Sequence, residues 1–203
     1  MVRGTRENII HAVFSLASKN PNRFNFSISE IAQEAGISRQ AIYKNHFDSF
    51  EEILCYIHSH IDYEIKKKFS DYTYSQKDII TFFAYEILPI LYNYRDWLKF
   101  LYSTDIDPHW HSFLKNEYTT WIKENITLNT EQKIFSNEFR INLIINYTLG
   151  ILEEWLSEEI PIPPKIFAKK FIFLSNTSIS ELLANPTFNQ SPSPSNYRKT
   201  LRK

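Results

Sequence analysis

Three glycines, Gly4, Gly36 and Gly150, are spread over 203 residues, and the stretches between them repeat apolar side chains at three- and four-residue spacing. That period marks one face of a helix, and so low a glycine content suits helices joined by short loops. The expected fold class is all-α, with about nine helices and no internal repeat. With 43% of its residues apolar the chain can bury a core without staples, and its single cysteine, Cys55, has no internal disulfide partner. Nothing near Met1 pairs a basic region with a long apolar run, so a cytoplasmic location is expected. The most apolar stretch, Ile79 to Tyr94, is interrupted by Glu86 and Pro89. It falls short of the roughly 20 residues that cross a bilayer, so no membrane partner is expected.

The N-terminal segment carries the densest signals. A first helix runs from about Thr5 to Lys19 on the stripe Ile9, Ile10, Val13, Phe14 and Ala17, and stops at Asn20-Pro21 because the residue before proline avoids helical geometry. Ser27 with Glu30 three positions on forms a capping box that opens a second helix, with Ile28, Ile31, Ala32 and Ala35 facing inward. Gly36 then suits the left-handed residue that ends a helix, and Ser38 caps a third helix from Arg39 through Asn45. Two short helices joined by such a turn have the form of a helix-turn-helix, whose second helix enters the major groove. Arg39 and Gln40 suit bidentate bonds to guanine and adenine edges, Ala41 suits a thymine methyl, and Tyr43, Lys44, Asn45 and His46 suit phosphates. Ser27 and Ser38, at the two helix starts, complete the expected DNA-contacting set, while Ile37 and Ile42 hold the reading helix to its scaffold. The alternative is an ordinary helical hairpin with a solvated polar face. Against it stands the combination of capping box, small-residue helix, glycine turn and a polar second helix with no acid between Arg39 and Phe47.

Charge is balanced overall but not locally. Residues 1–47 hold six Lys and Arg against three Asp and Glu, whereas residues 70–184 hold ten against fifteen. A basic N-terminal module and an acidic body would approach a phosphate polymer in one orientation.

The run from Ser27 to Tyr43, followed by His46-Phe47 and then by Glu51-Glu52-Ile53-Leu54, resembles the DNA-binding domain of the tetracycline-repressor (TetR) family over residues 5 to about 60. The resemblance implies a three-helix reader held by a long fourth helix, an all-helical C-terminal body and a homodimer. It also implies a regulator, expected to be a repressor on a palindromic double-stranded DNA operator, that a small molecule bound in the body releases. Two departures stand out. Three residues, Lys44, Asn45 and His46, separate the tyrosine from the phenylalanine where the family usually has two, and Phe50 stands where the family tends to place a phosphate-contacting lysine. Ser49 with Glu52 still reads as a capping box.

The division expected from these signals is a DNA-binding domain over 1–48, an effector-binding and dimerising domain over 49–184, and a flexible tail over 185–203, where prolines alternate with serines. Helix four should run from Phe50 to about Phe69. A buried helix over Ile79 to Tyr94 should kink at Pro89, and another should start at Asp107-Pro108. Pro163 and Pro164 separate a long helix, about Glu131 to Glu158, from a final one ending near Leu183. These last two are the expected dimer helices, through Gly150, Trp155, Phe171, Ser175 and Ser178, because small residues let a partner approach and four such helices make a bundle. Aromatics make up 16% of the chain, and a cavity lined by Tyr85, Trp97, Tyr102, Trp110, Tyr118, Trp121 and Tyr147 would favour an apolar or aromatic effector.

Enzymatic signatures are missing: no glycine-rich phosphate loop, serine elbow or paired carboxylates can be read. Cys55 and His58 share a helix face but lack a second pair at zinc spacing, and His109 and His111 point apart, so neither a metal nor a cofactor is expected. A non-enzymatic regulator remains. Its alternative, motivated by Phe50 and the acidic body, keeps the fold as a co-activator or protein-interaction module with weakened DNA binding.

Overall fold

The computed structural model describes residues 4–45, 47–72, 78–129 and 134–183, and every regular element within them is a helix. The expectations placed on His46, on 131–133 and on the tail from 185 lie outside the described residues, as does the side chain of Asn45.

Helix α1 (Thr5–Lys19) buries Ile9, Ile10, Val13, Phe14 and Ala17. Against it packs α2 (Ile28–Ala35), and α3 (Arg39–Asn45) packs on α2. The Asn8 side chain fastens α1 to the end of α2 by donating to the Ala35 carbonyl at 2.9 Å. Helix α4 (Phe50–Ser70) turns Ile53, Ile57, Ile61, Ile65 and Phe69 inward at four-residue spacing, one stripe along its whole length. Its start differs from expectation. Ser49 Oγ accepts the Glu52 N–H at 3.2 Å, but the Glu52 carboxylate takes the Asp48 N–H at 2.7 Å, one residue outside a reciprocal box.

The segment from 79 to 103 is cut more finely than one kinked helix. It runs as α5 (Ile79–Phe82), a π-helical turn (Phe83–Ile87), α6 (Leu88–Asn93) and α7 (Arg95–Ser103). Pro89 explains the π turn. Its ring would meet the carbonyl four residues back and it has no N–H to give, so the helix widens just before it and the Leu88 N–H reaches the Phe83 carbonyl.

Helix α8 (Trp110–Asn125) starts later than Asp107-Pro108, because Asp107 Oδ1 accepts the His109 N–H at 3.0 Å in a turn ahead of it. The long helix is α9 (Asn137–Leu156), opened by Ser136, whose hydroxyl accepts the Phe139 N–H at 3.2 Å. After the paired prolines come α10 (Pro164–Ser175) and a separate short α11 (Ile179–Leu182). The expected final helix breaks there because the side chains of Asn176 and Thr177 donate back to the Ile172 and Phe173 carbonyls while Ser178 caps a new start.

Helices α8 and α9 pack along each other, and α10 lies on the π turn and α6. The core is continuous from Ile9 in α1 to Phe171 in α10. Where the N-terminal helices meet the rest, Phe14 of α1 stacks on Phe100 of α7 at 5.0 Å, and the Asp105 N–H donates to the Pro21 carbonyl at 2.8 Å. No helix among the described residues is long and apolar enough to cross a membrane.

Candidate nucleic-acid interface and the body behind it

The geometry of α3 is set by what precedes it. Ser27 and Glu30 form the reciprocal box: the Glu30 N–H donates to Ser27 Oγ at 3.3 Å, and Glu30 Oε2 accepts the Ser27 N–H at 2.9 Å. Arg23 adds a fork onto the same carboxylate at 2.7 and 2.9 Å. The Arg23 fork, then the Ser27 backbone and hydroxyl bonds, hold the Glu30 carboxyl down at about 2. Gly36 ends α2 at φ 66° and ψ 30°, a left-handed residue that costs glycine nothing. The Ile37 N–H then reaches back to the Ala32 carbonyl at 3.0 Å, which closes the turn. Ser38 Oγ accepts the Ala41 N–H at 3.1 Å and opens α3.

On α3, Ile42 is fully buried and pins the helix to the core, whereas Arg39, Gln40, Lys44 and Tyr43 are exposed, Tyr43 to 47%. Ala41 is half-buried between the two faces. Arg39 Nη1 donates a long bond of 3.4 Å to Ser29 Oγ, so the side chain leans on α2 without being consumed by an acid. Both acids of α2 are already engaged: Glu30 by Arg23, and Glu34 by Lys19 and Ser15, each at 2.6 Å. The α2–α3 surface therefore presents Arg39 and Lys44 with no competing free carboxylate from α2. Ser27, expected to touch DNA, has its hydroxyl and its N–H both committed to Glu30.

In the body, the seven aromatics expected around one cavity are distributed otherwise. Trp97 packs between Phe14, His60 and Tyr94. Tyr102 and Trp110 meet edge to face at 6.1 Å. Tyr118 and Trp121 both lie against Phe69, and the Tyr118 hydroxyl donates to Asp62 Oδ1 at 3.3 Å. Burial holds the Tyr102 hydroxyl above the ordinary tyrosine range, and burial followed by the Asp62 charge does the same for Tyr118. Tyr85 and Tyr147 are corrected from the interior to the surface, at 45% and 40% exposure, with the Tyr147 hydroxyl donating to the Leu174 carbonyl at 2.6 Å.

Two expected dimer residues are also corrected. Trp155 and Phe171 belong to the chain's own core, Trp155 stacking on Phe167 at 4.2 Å and donating to the Ile162 carbonyl, Phe171 stacking on Phe83 at 5.2 Å. Both stand next to outward positions on amphipathic helices, so spacing alone fits either side, and packing against Phe167 and Phe83 decides for the interior. Ser175 is half-buried with its hydroxyl bonded to the Phe171 carbonyl, and Ser178 is an exposed cap of α11. Gly150 does face outward, with open space where a Cβ would stand. It continues an exposed apolar stripe of α9 formed by Phe139, Leu143 and Tyr147, and α10 exposes Ile166 and Phe173.

One feature of the body was not anticipated. His58 of α4 bonds through Nε2 to Asp107 Oδ2 at 2.5 Å, its ring stacked on Phe113 at 4.5 Å, with side-chain exposures of 13% and 3%. Burial pushes the Asp107 carboxyl up, but the bond and charge of His58, with the His109 N–H, outweigh it and hold the group below its ordinary value. His58 is thus engaged by a carboxylate on another element while Cys55 is exposed. His111 bonds Glu153 at 3.3 Å. No group of three potential metal ligands occurs among the described residues.

No family model matches this chain, and the curated proteins include none similar to it.

Proposed function

We propose that the chain is a DNA-binding transcription regulator of the TetR kind, acting as a homodimer on a palindromic operator and responding to a small apolar or aromatic effector. The observation that carries the reading is α3: a helix anchored by a fully buried Ile42, set by a left-handed Gly36, and exposing Arg39, Gln40, Tyr43 and Lys44 where α2's acids are already ion-paired. Arg39 and Gln40 at the helix start read base edges, and Tyr43 and Lys44 hold the backbone. Support for a dimer comes from the apolar stripe of α9 and α10. Glu154 on α9 and Lys165, Lys169 and Lys170 on α10 are exposed charges of opposite sign that a two-fold axis can match.

The experiment is selection of duplexes from a randomised pool by the full chain, followed by titration at several salt concentrations. Arg39→Ala or Gln40→Ala relaxes sequence preference at one position by about tenfold or more, whereas Lys44→Ala weakens all sequences alike and lowers the salt slope by about one unit. Failure of the wild-type chain to enrich any sequence, or to bind any duplex at low salt, overturns the reading.

A further inference from the structure

Tyr56, His60 and Glu64 stand at four-residue spacing and so share one face of α4. The junction of α6 and α7 brings two more rings to that face. The exposed His60 imidazole lies nearly parallel to the Tyr56 ring at 5.5 Å, perpendicular to Tyr94 at 5.7 Å, and 5.8 Å from Trp97, with Tyr94 and Trp97 themselves 5.5 Å apart. These three rings are half-buried, and among the described residues no hydrogen bond engages the His60 nitrogens. We propose that this cluster is a binding site for a small organic cation, a quaternary ammonium group that displaces the His60 imidazole from between Tyr56, Tyr94 and Trp97 and takes Glu64 as its counter-charge. The site is separate from the surface of α3, and the inference does not rest on the DNA-binding reading.

Ring geometry and charge choose the occupant. The three centroids stand within the roughly 6 Å over which an aromatic face attracts a cation, measured from the place the imidazole now fills. Tyr56 already serves one cation of the chain, since the Arg6 guanidinium of α1 lies over it at 5.3 Å. Glu64 supplies a fixed negative charge. It is half-buried and enters no ion pair among the described residues, because Lys68, one turn on, goes to Glu86 at 3.2 Å and Arg95, beside Tyr94, goes to the ring and carbonyl of Tyr92. Its carboxylate bears on the cluster: burial first, and then the Glu64 charge, hold the Tyr94 hydroxyl above its ordinary value. A half-buried carboxylate without a partner is unfavourable, and a cation set beside it offsets that. A metal ion is a poorer occupant, since one carboxylate and one imidazole fall short of its ligand set, and no group of three potential metal ligands occurs among the described residues. The imidazole yields its place readily, because it is exposed and an exposed side chain changes rotamer within nanoseconds.

The test uses the full chain and two probes of one shape, choline and its uncharged analogue 3,3-dimethylbutan-1-ol, titrated at constant ionic strength and read from the broadening of each probe's methyl signal in NMR. Choline saturates the wild-type chain at roughly millimolar concentration, and the alcohol binds about tenfold more weakly or worse. Glu64→Gln weakens choline by about five-fold and leaves the alcohol unchanged, whereas Glu158→Gln, at an exposed acid elsewhere, alters neither. His60→Ala vacates the place between the rings and tightens choline several-fold. Neither Glu64 nor His60 belongs to the buried core, so an unchanged Tm in both variants shows that the fold is intact. Equal binding of choline and the alcohol overturns the proposal, as does a Glu64→Gln effect no larger than that of Glu158→Gln. Lack of saturable choline binding in both the wild-type and His60→Ala chains overturns it too. Duplex selection by α3 is measured separately and stands apart from each of these outcomes.

Discussion

Glu30 carries more than one residue's share of the local structure. It completes the capping box of α2, holds Arg23, and is kept at about 2 against a usual 4.5. Because its folded value lies below the unfolded one, the stability it contributes is present above about pH 4.5 and is lost as pH falls towards 2. Urea titrations of wild type and Glu30→Gln should differ by a constant amount at neutral pH and converge through that window; parallel curves down to the acid limit would count against it. Asp107 obeys the same sign, its carboxyl being held low by His58. Replacing it with alanine strands a buried imidazole and should cost about 3 kcal/mol by equilibrium unfolding, far more than a surface ion pair is worth. These two carboxylates also mark what a sequence discloses. The partners of Glu30 lie three and seven positions away, within one turn-and-loop pattern, so Ser27-x-x-Glu30 was legible. Those of Asp107 include His58, 49 positions off, and no local spacing relates them.

At the scale of elements, helix ends written in side chains that act on their own backbone were legible, and ends decided by packing were not. Helix α2 begins and ends where Ser27, Glu30 and Gly36 place it, α3 begins at Ser38, and α1 stops ahead of Pro21. The division of 79–103 depends on how a helix absorbs Pro89 against α4 and α10, and widening into a π turn was one of several outcomes a proline permits. Likewise α9 and α10 were recognised as helices, but which stripe faces inward was settled by Phe167 and Phe83, whose rings take Trp155 and Phe171. The element on which the proposed function turns has a simple test. Gly36 at φ 66° meets no neighbour that a methyl would strike, so Gly36→Ala isolates backbone strain from packing. It should cost about 1 kcal/mol in unfolding free energy and, by reorienting α3, reduce duplex affinity more than stability. A variant as stable as wild type would mean that the turn is not under constraint.

For the whole molecule the consequence of one continuous core is that the N-terminal helices and the body are mechanically joined, through Phe14 on Phe100 and the Asp105–Pro21 bond. A change in the body's packing then has a path to α1 and α4 that two separate cores would lack, as the proposed regulation requires. The other surface of the body bears on assembly. With Trp155 and Phe171 turned inward, the proposed dimer contact is assigned to the exposed Phe139, Leu143, Tyr147 and Phe173, with Gly150 leaving room for a partner helix. A two-fold interface built on that stripe makes Tm rise with protein concentration by mass action. Leu143, 58% exposed, is a position where aspartate disturbs little within one chain. Leu143→Asp should therefore leave the helical content intact while removing the concentration dependence and halving the mass in sedimentation. Duplex affinity should fall with it, since each half of a palindrome would be bound alone. A Leu143→Asp chain that sediments as the wild type does would move the interface off α9.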